Sequence, residues 1–224
     1  MEAFEQLVLI IIDGLDASGK STQALKLYSF LTNHGKTVFV RFHPSNDNFF
    51  GVKAKGFLYL KGKSAHFAAA FFYMFDVIRS ILFYSWRRYD YVIFVRYLMG
   101  TAYLPSPLHR IGYHFFASIV PTSDLMFFLD VTPEEAYRRI QQERSKLEMF
   151  ESLEELKRVR RKALSLALVD KWAVMNGNRP AKDVEKEIRK LLSLKVHFLS
   201  FKCVKEKFPS VLYIWNPWIH KGAG

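Results

Sequence analysis

The sequence predicts an α/β protein, a three-layer sandwich in which a five-stranded parallel sheet carries helices on both faces. Three observations predict it. Short β-branched runs alternate along the chain with stretches of helical periodicity. The first run, Leu7–Asp13 (LVLIIID), is apolar without alternation, as in a strand buried on both faces. Half of the 224 residues are apolar and 16% are aromatic, enough for one core of this kind. The same composition excludes intrinsic disorder, collagen-like repeats and a disulfide-stapled miniprotein. The single cysteine, Cys203, cannot form an internal bridge and points to a reducing, cytoplasmic setting.

The elements follow in order. After the strand at 7–13, Lys20–Asn33 has helical spacing through Leu25, Leu27 and Leu31, with His34-Gly35 as its stop. Thr37–Phe42 (TVFVRF) is a strand ended by Pro44-Ser45-Asn46. Ser64–Arg88 is a long helix, and Tyr91–Val95 (YVIFV) a third strand. Leu108–Ile119 follows the Pro105/Pro107 turn as a helix, then Leu125–Val131 as a strand. Thr132-Pro133-Glu134-Glu135 opens a helix with an N-cap, a first-turn proline and first-turn acids. A charged region runs to about Leu168, then come a strand at Lys171–Met175 and a helix at Ala181–Leu192. This divides the chain into a domain at 1–195 and an aromatic, proline-broken extension at 196–224.

Two apolar runs bear on targeting. Leu7–Ile12 follows Glu2 and Glu5 and has no basic flank, unlike a signal peptide. Phe67–Trp86 has the length of a membrane span, but Asp76 and Arg79 share one helical face, which favours a buried helix over insertion. No membrane association is expected.

The strongest chemical signal is Gly14-Leu15-Asp16-Ala17-Ser18-Gly19-Lys20-Ser21, a G-x-x-x-x-G-K-[ST] loop directly after a strand and opening a helix. Glycines let backbone N–H groups converge on phosphate oxygens, and the helix N-terminus adds a favourable dipole. Residues 14–20, with Ser21 and Thr22, are therefore the expected ATP-binding loop. Lys20 serves the β- and γ-phosphates and the Ser21 hydroxyl serves Mg²⁺. No N-K-x-D guanine reader occurs, and a short chain with one such loop and a late arginine cluster suits a small kinase with a lid.

The opening Ile11–Gln23 (IIDGLDASGKSTQ) resembles the F-E-G-L/I-D-G-x-G-K-S-T-Q segment of thymidylate kinases. Looser matches follow in the family's order: Arg41-Phe42-His43-Pro44, Val95-Arg96-Tyr97 with Ala102-Tyr103, and a lid at about 138–151. The resemblance spans about residues 5–193. It implies ATP-dependent phosphorylation of dTMP to dTDP with Mg²⁺, on a P-loop kinase fold, in a homodimer. It implies roles residue by residue. Asp16 would hold the acceptor sugar 3′-hydroxyl, and Arg41 and Arg96 the acceptor phosphate. Phe72, with Phe71 close behind, would stack on the base, and Asp76 would read its edge. Tyr97 and Tyr103 would line the sugar and base. Arg139 and Arg144 would close over the transferring phosphoryl group, making Lys20, Arg96, Arg139 and Arg144 the catalytic set. Phe150, in Glu148-Met149-Phe150-Glu151, would reach the acceptor nucleoside, and Asn178 and Arg179 would flank the donor adenine.

Four departures accompany the resemblance. Val95 replaces the aspartate of D-R-[YH], leaving Asp13, Asp16 or Asp130 to supply a carboxylate there. His43 replaces the acid usual between arginine and proline, and Met149 an arginine of the lid. The loop from Arg96 to Tyr103 is about one residue short. Another nucleotide or nucleoside kinase with an altered acceptor, or a P-loop protein that binds nucleotide with little turnover, are the alternatives. The charge of +12 does not by itself favour nucleic acid as a partner, because it is spread evenly: 13 basic against 7 acidic residues in 1–120, and 20 against 14 in 121–224.

Overall fold

The computed structural model describes residues 7–60, 63–84, 89–143 and 152–207. Five parallel strands form one sheet in the order β2-β3-β1-β4-β5, with β1 Val8–Gly14, β2 Val38–Phe42, β3 Tyr91–Val95, β4 Met126–Asp130 and β5 Trp172–Asn176. The helices are α1 Lys20–Asn33, α2 Phe49–Leu58, α3 Lys63–Tyr84, α4 Leu108–Ile119, α5 Pro133–Glu143, α6 Leu153–Ala167 and α7 Ala181–Lys207, and a 3₁₀ turn spans Met99–Tyr103. The sheet-bearing unit covers Met1–Lys186; a second unit, Glu187–Gly224, begins inside α7.

The uninterrupted apolar strands are explained by burial on both faces. Ile11, Val92, Phe94 and Phe128 pack with Tyr113 and Phe116 of α4 and Val159 and Ala163 of α6. Their neighbours Ile10, Ile12, Ile93 and Phe127 alternate to the opposite face and are no less buried. On α1, Ala24, Leu27 and Leu31 make the buried stripe, and Gln23 Nε2 donates to the Ala181 carbonyl at 2.9 Å. Chain order sends the connection after β1 toward β2 and that after β3 back across β1 toward β4. With right-handed crossovers these leave by opposite faces, so a crevice opens at the carboxyl ends of β1 and β3.

Two helices extend what the sequence pattern predicts. α2 fills the interval after β2, capped by the Asn48 side chain accepting from Gly51 N at 3.1 Å. α6 occupies the charged region, capped by Ser152. Within α3, Phe67–Tyr84 is long and apolar enough to cross a membrane by length and composition. Here it packs on α2 and carries the fully buried Asp76. That carboxylate accepts from Ser45 N at 2.7 Å, Ser45 Oγ at 2.6 Å and Asn48 Nδ2 at 2.7 Å, with Arg41 Nη2 at 3.9 Å. It therefore fastens the segment after β2, and the start of α2, to α3.

Removing a buried carboxylate that satisfies this many donors leaves them stranded. Asp76→Ala is expected to destabilise the fold by about 3 kcal/mol and Asp76→Asn by roughly half of that. Urea denaturation followed by circular dichroism checks the ranking, which equal midpoints for the two variants would contradict.

Candidate active site

The strand-to-helix loop at 14–19 wraps the end of β1 in a conformation few residues adopt. Gly14 has φ 147°, and a Cβ there would collide with the Leu129 carbonyl and lie 2.8 Å from Ser18 Oγ. Ala17 and Gly19 are also left-handed, at φ 54° and 89°. Lys20, 4% exposed, folds back over the loop, donating to the carbonyls of Gly14 at 3.0 Å and of Leu15. Leu15 itself points into the core.

Asp13 closes the crevice from below. It is buried, and its carboxylate accepts from Gly14 N at 3.1 Å, Tyr97 N at 2.8 Å and Met99 N at 3.0 Å. Burial raises its pKa, opposed by those backbone donors and by Lys20. Asp16 pairs with Arg96 (Oδ1 to Nη2, 2.6 Å) and accepts from the Tyr103 hydroxyl at 2.8 Å. Burial, with the Asp16 charge beside it, pushes the Tyr103 phenol far up, so it stays a donor. Arg96 holds a left-handed backbone, φ 58°, just past the end of β3.

Two cavities meet at this pair. One is lined by Asp13, Gly14, Asp16, Arg96 and Tyr103 at one end and by Pro44, Ala54, Leu58, Ala69, Tyr73 and Gly100 further in. The other lies over Ala17–Gln23 and is bounded by Arg96, Arg139, Gly177, Arg179 and Ala181. Arg139 reaches it from α5, donating to the carbonyls of Ala17 at 3.2 Å and Gly177 at 3.1 Å while its Nε pairs with Glu135 at 2.7 Å. Arg138 turns to solvent, forked onto Glu135. Arg138 and Arg139 together hold the Glu135 carboxyl down at about 2.

Several expected residues are engaged elsewhere. Arg41 is 8% exposed; it forks onto Asp47 at 2.6 and 2.7 Å and donates from Nε to Ser80 Oγ at 3.1 Å. Neither cavity is lined by Arg41 or by Asp76. The Phe72 ring stacks on Phe57 at 5.6 Å and lines an apolar cleft between α3 and α4, not the Asp16 cavity. Tyr73, one residue on, is the α3 ring that reaches the cavity, and Gly100 gives it room: a Cβ there would lie 2.5 Å from its ring. The signal for Tyr73 is the spacing Ala65, Ala69, Tyr73, Asp76, Ser80, a stripe of small and polar residues along an aromatic helix. Tyr97 is fully buried, its hydroxyl on the Pro121 carbonyl at 2.9 Å, so it packs in the core instead of lining a pocket. Asn178 accepts from Thr132 N at 3.0 Å, joining two loops, while Arg179 lines the second cavity. Asp130 is forked by Arg160 at 2.7 Å. Val95 is buried in the sheet. Arg144, Met149 and Phe150 lie outside the described residues.

His43 is buried beside this site. Its Nδ1 lies 3.0 Å from the Arg96 carbonyl, and burial brings its pKa from 6.5 to about 4, with Asp76 opposing and Arg41 adding to the effect. A lowered histidine pKa means that the unfolded chain binds the extra proton first. Stability is full above pH 6.5 and falls as pH drops toward 4, by up to about 3 kcal/mol. Urea midpoints at pH 7, 5.5 and 4.5 are expected to decline less steeply in His43→Asn than in the wild type. An unchanged slope would assign the acid sensitivity to other groups.

Comparison with known proteins matches this arrangement to one family. The family model for thymidylate kinase matches residues 12–188. A probable thymidylate kinase of Archaeoglobus fulgidus is 29% identical over 208 residues, covering 87% of this chain and 98% of the relative. One from Metallosphaera sedula is 28% identical over 183 residues, covering 77% and 85%. Among solved structures, thymidylate kinase from Candida albicans superposes with a TM-score of 0.67 at 18% identity, covering 84% of this chain and 92% of that one, a likeness of fold. The match over residues 12–188 shows that the chain belongs to the thymidylate kinase family.

Proposed function

We propose that this protein transfers the γ-phosphoryl group of ATP to dTMP, producing ADP and dTDP, in the cytoplasm. The observation that carries the reading is Arg96: one guanidinium lines both cavities and is held there by Asp16. A charge at the junction of a donor and an acceptor site is what phosphoryl transfer requires, because the reaction depends on alignment and charge neutralisation more than on a covalent protein group. ATP would occupy the loop cavity, its phosphates taking the Lys20 and Arg139 contacts now made with loop carbonyls, with Thr22 and Arg179 at its rim. Mg²⁺ fits the donor set: the Ser21 hydroxyl is an exposed hard oxygen in that cavity, and this ion keeps most of its ligands as water and phosphate. Bound there, the ion would offset the charge of the transferring phosphates. No cluster of three His, Cys, Asp or Glu occurs among the described residues.

The acceptor would enter the Asp16 cavity, sugar toward Asp16 and Tyr103, base toward Tyr73, Ala69 and Gly100. An oxygen of its phosphate attacks the γ-phosphorus while the bond to the β–γ bridging oxygen breaks. Arg96 meets the growing charge, and Arg139 together with Arg144 and Phe150 of the lid would complete the enclosure. In this reading Arg41 and Asp76 act from behind, by holding the segment 41–48, and Phe72 supports α2. Residues 196–224 are an extension to the kinase domain.

ADP release measured with dTMP, dUMP, CMP, UMP and thymidine tests the reaction. dTMP is expected to turn over best, with Lys20→Ala as the blank and Arg96→Ala lowering kcat by about 10²–10³. Equal or better turnover of another acceptor would reject dTMP specificity. ATP binding with no acceptor-dependent turnover, restored by Val95→Asp, would instead support a nucleotide-binding role.

We also propose that the protein forms a homodimer through α3 and α4. Their apolar cleft, about 650 Å³, is ringed by exposed Phe67, Phe71, Ile111 and Phe115, apolar side chains that a second copy would cover. Size-exclusion chromatography with light scattering is expected to give twice the chain mass, and Ile111→Glu with Phe115→Glu to give a monomer. A wild-type monomer at micromolar concentration would reject it.

A further inference from the structure

Arg96 poses a problem of local structure. It stands at the first position past the end of two ladders, where Val95 pairs with Ile12 on one side and Phe42 on the other. Its N–H is fixed by the Ile12 carbonyl at 3.1 Å. Its φ of 58° then turns the chain out of the sheet, a conformation that a side chain with Cβ occupies only when its surroundings enforce it. In an extended chain the Arg96 carbonyl would face β1, the side its N–H points to; after the turn it lies against His43 instead. The last ladder bond, His43 N to the Val95 carbonyl at 3.0 Å, ends the backbone pairing.

The next rung is made by a side chain. His43 Nδ1 reaches the Arg96 carbonyl at 3.0 Å, with the imidazole set edge-on against Phe94, ring centroids 5.5 Å apart. A carbonyl only accepts, so Nδ1 carries the proton. The other nitrogen, Nε2, is buried and has no partner among the described residues. The ring sits against the carbonyls of Val95 and Arg96, and its 3.0 Å bond at Nδ1 ends on the residue whose guanidinium joins the two cavities.

We infer that His43 is the positioning residue for Arg96: its Nδ1–H fixes the Arg96 carbonyl, and so the left-handed turn that aims the guanidinium between donor and acceptor. Its action runs through the backbone of Arg96, with no contact to substrate. The inference rests on the proposed phosphoryl transfer for its kinetic consequences and on geometry alone for its structural ones.

An amide can replace one ring nitrogen at a time. Asparagine places its N–H where Nδ1 stands, whereas glutamine places it near Nε2. His43→Ala and His43→Gln are expected to lower kcat about ten- to a hundred-fold, with the KM for ATP changed less than about two-fold, since the phosphate loop is untouched. His43→Asn is expected to return kcat to within about three-fold of wild type. A purely space-filling role predicts the reverse order, because glutamine fills more of the site than asparagine. Equal losses in Asn and Gln, or a better Gln, would overturn the inference.

Nitrogen-15 NMR of the imidazoles gives a readout independent of turnover. The His43 signal, assigned by its loss in His43→Asn, is expected to show a neutral ring protonated at Nδ1. The Arg96 backbone shifts are expected to stay in place in His43→Asn and to move in His43→Gln. A ring protonated at Nε2, or Arg96 shifts indifferent to both variants, would overturn it. If the wild type lacks acceptor-dependent turnover, the functional reading fails, while the NMR outcomes still decide the role of His43.

Discussion

The site depends on one buried carboxylate. Asp13 ends β1, and its three backbone donors come from Gly14 on its own strand and from Tyr97 and Met99 beyond β3. Main-chain pairing between β1 and β3 stops at Ile12 and Val95, so the carboxylate carries the link past the point where the ladder ends. Burial works against its charge, and three N–H groups with Lys20 work for it. The balance matters because the three N–H groups that stabilise the charge are themselves fixed in place by it. The start of the phosphate loop and the segment 96–99 become one unit, and the crevice between β1 and β3 acquires walls that cannot drift apart independently.

On that base rest the cations proposed to meet the phosphates. Lys20 and Arg139 donate to loop carbonyls, and Arg96 is paired with Asp16. A neutral carbonyl is a poorer partner for a guanidinium or ammonium than a phosphate oxygen, so in the proposed reaction exchange would favour the nucleotide. The side chains are already confined, so little rotamer freedom is lost on binding. Arg41 is different. Forked on Asp47, beside Asp76 and over the Tyr84 ring at 5.1 Å, its guanidinium is held chiefly by carboxylates.

Legibility in the sequence followed the strength of the local constraint. The phosphate loop was readable because its backbone angles admit few residues, which makes Gly14 and Gly19 informative one by one. The strands were readable because burial on both faces leaves only apolar runs. α2 was hidden: Phe49–Leu58 contains two glycines and two lysines, and its stability comes from Asn48 at its start and from packing on α3. The α3 ring that reaches the Asp16 cavity is Tyr73, one position from the expected Phe72. On a helix where Phe71, Phe72, Tyr73 and Phe75 all offer rings, one residue is about 100° of rotation, and only the stripe of small neighbours separates them. The fate of Arg41 depended on Asp47, six residues away, across a turn whose shape no periodicity encodes.

The departures from the family pattern at Val95 and His43 look independent in sequence, 52 positions apart, yet they are neighbours in space. Phe42 pairs with Val95, and His43 N donates to the Val95 carbonyl. Two carboxylates in those places would face each other across the end of a ladder, each desolvated, next to Asp13 and Asp76, both already buried. Here the strand end is instead a valine beside an imidazole that burial keeps neutral. Neutrality removes a repulsion and a desolvation penalty at once. It also leaves Asp16 as the carboxylate that faces Arg96, which places the partner of the bridging guanidinium on the phosphate loop itself instead of on the strand beneath it. Besides relieving that repulsion, the imidazole supplies a hydrogen bond to the Arg96 carbonyl that a charged carboxylate, having no proton to give, could not make.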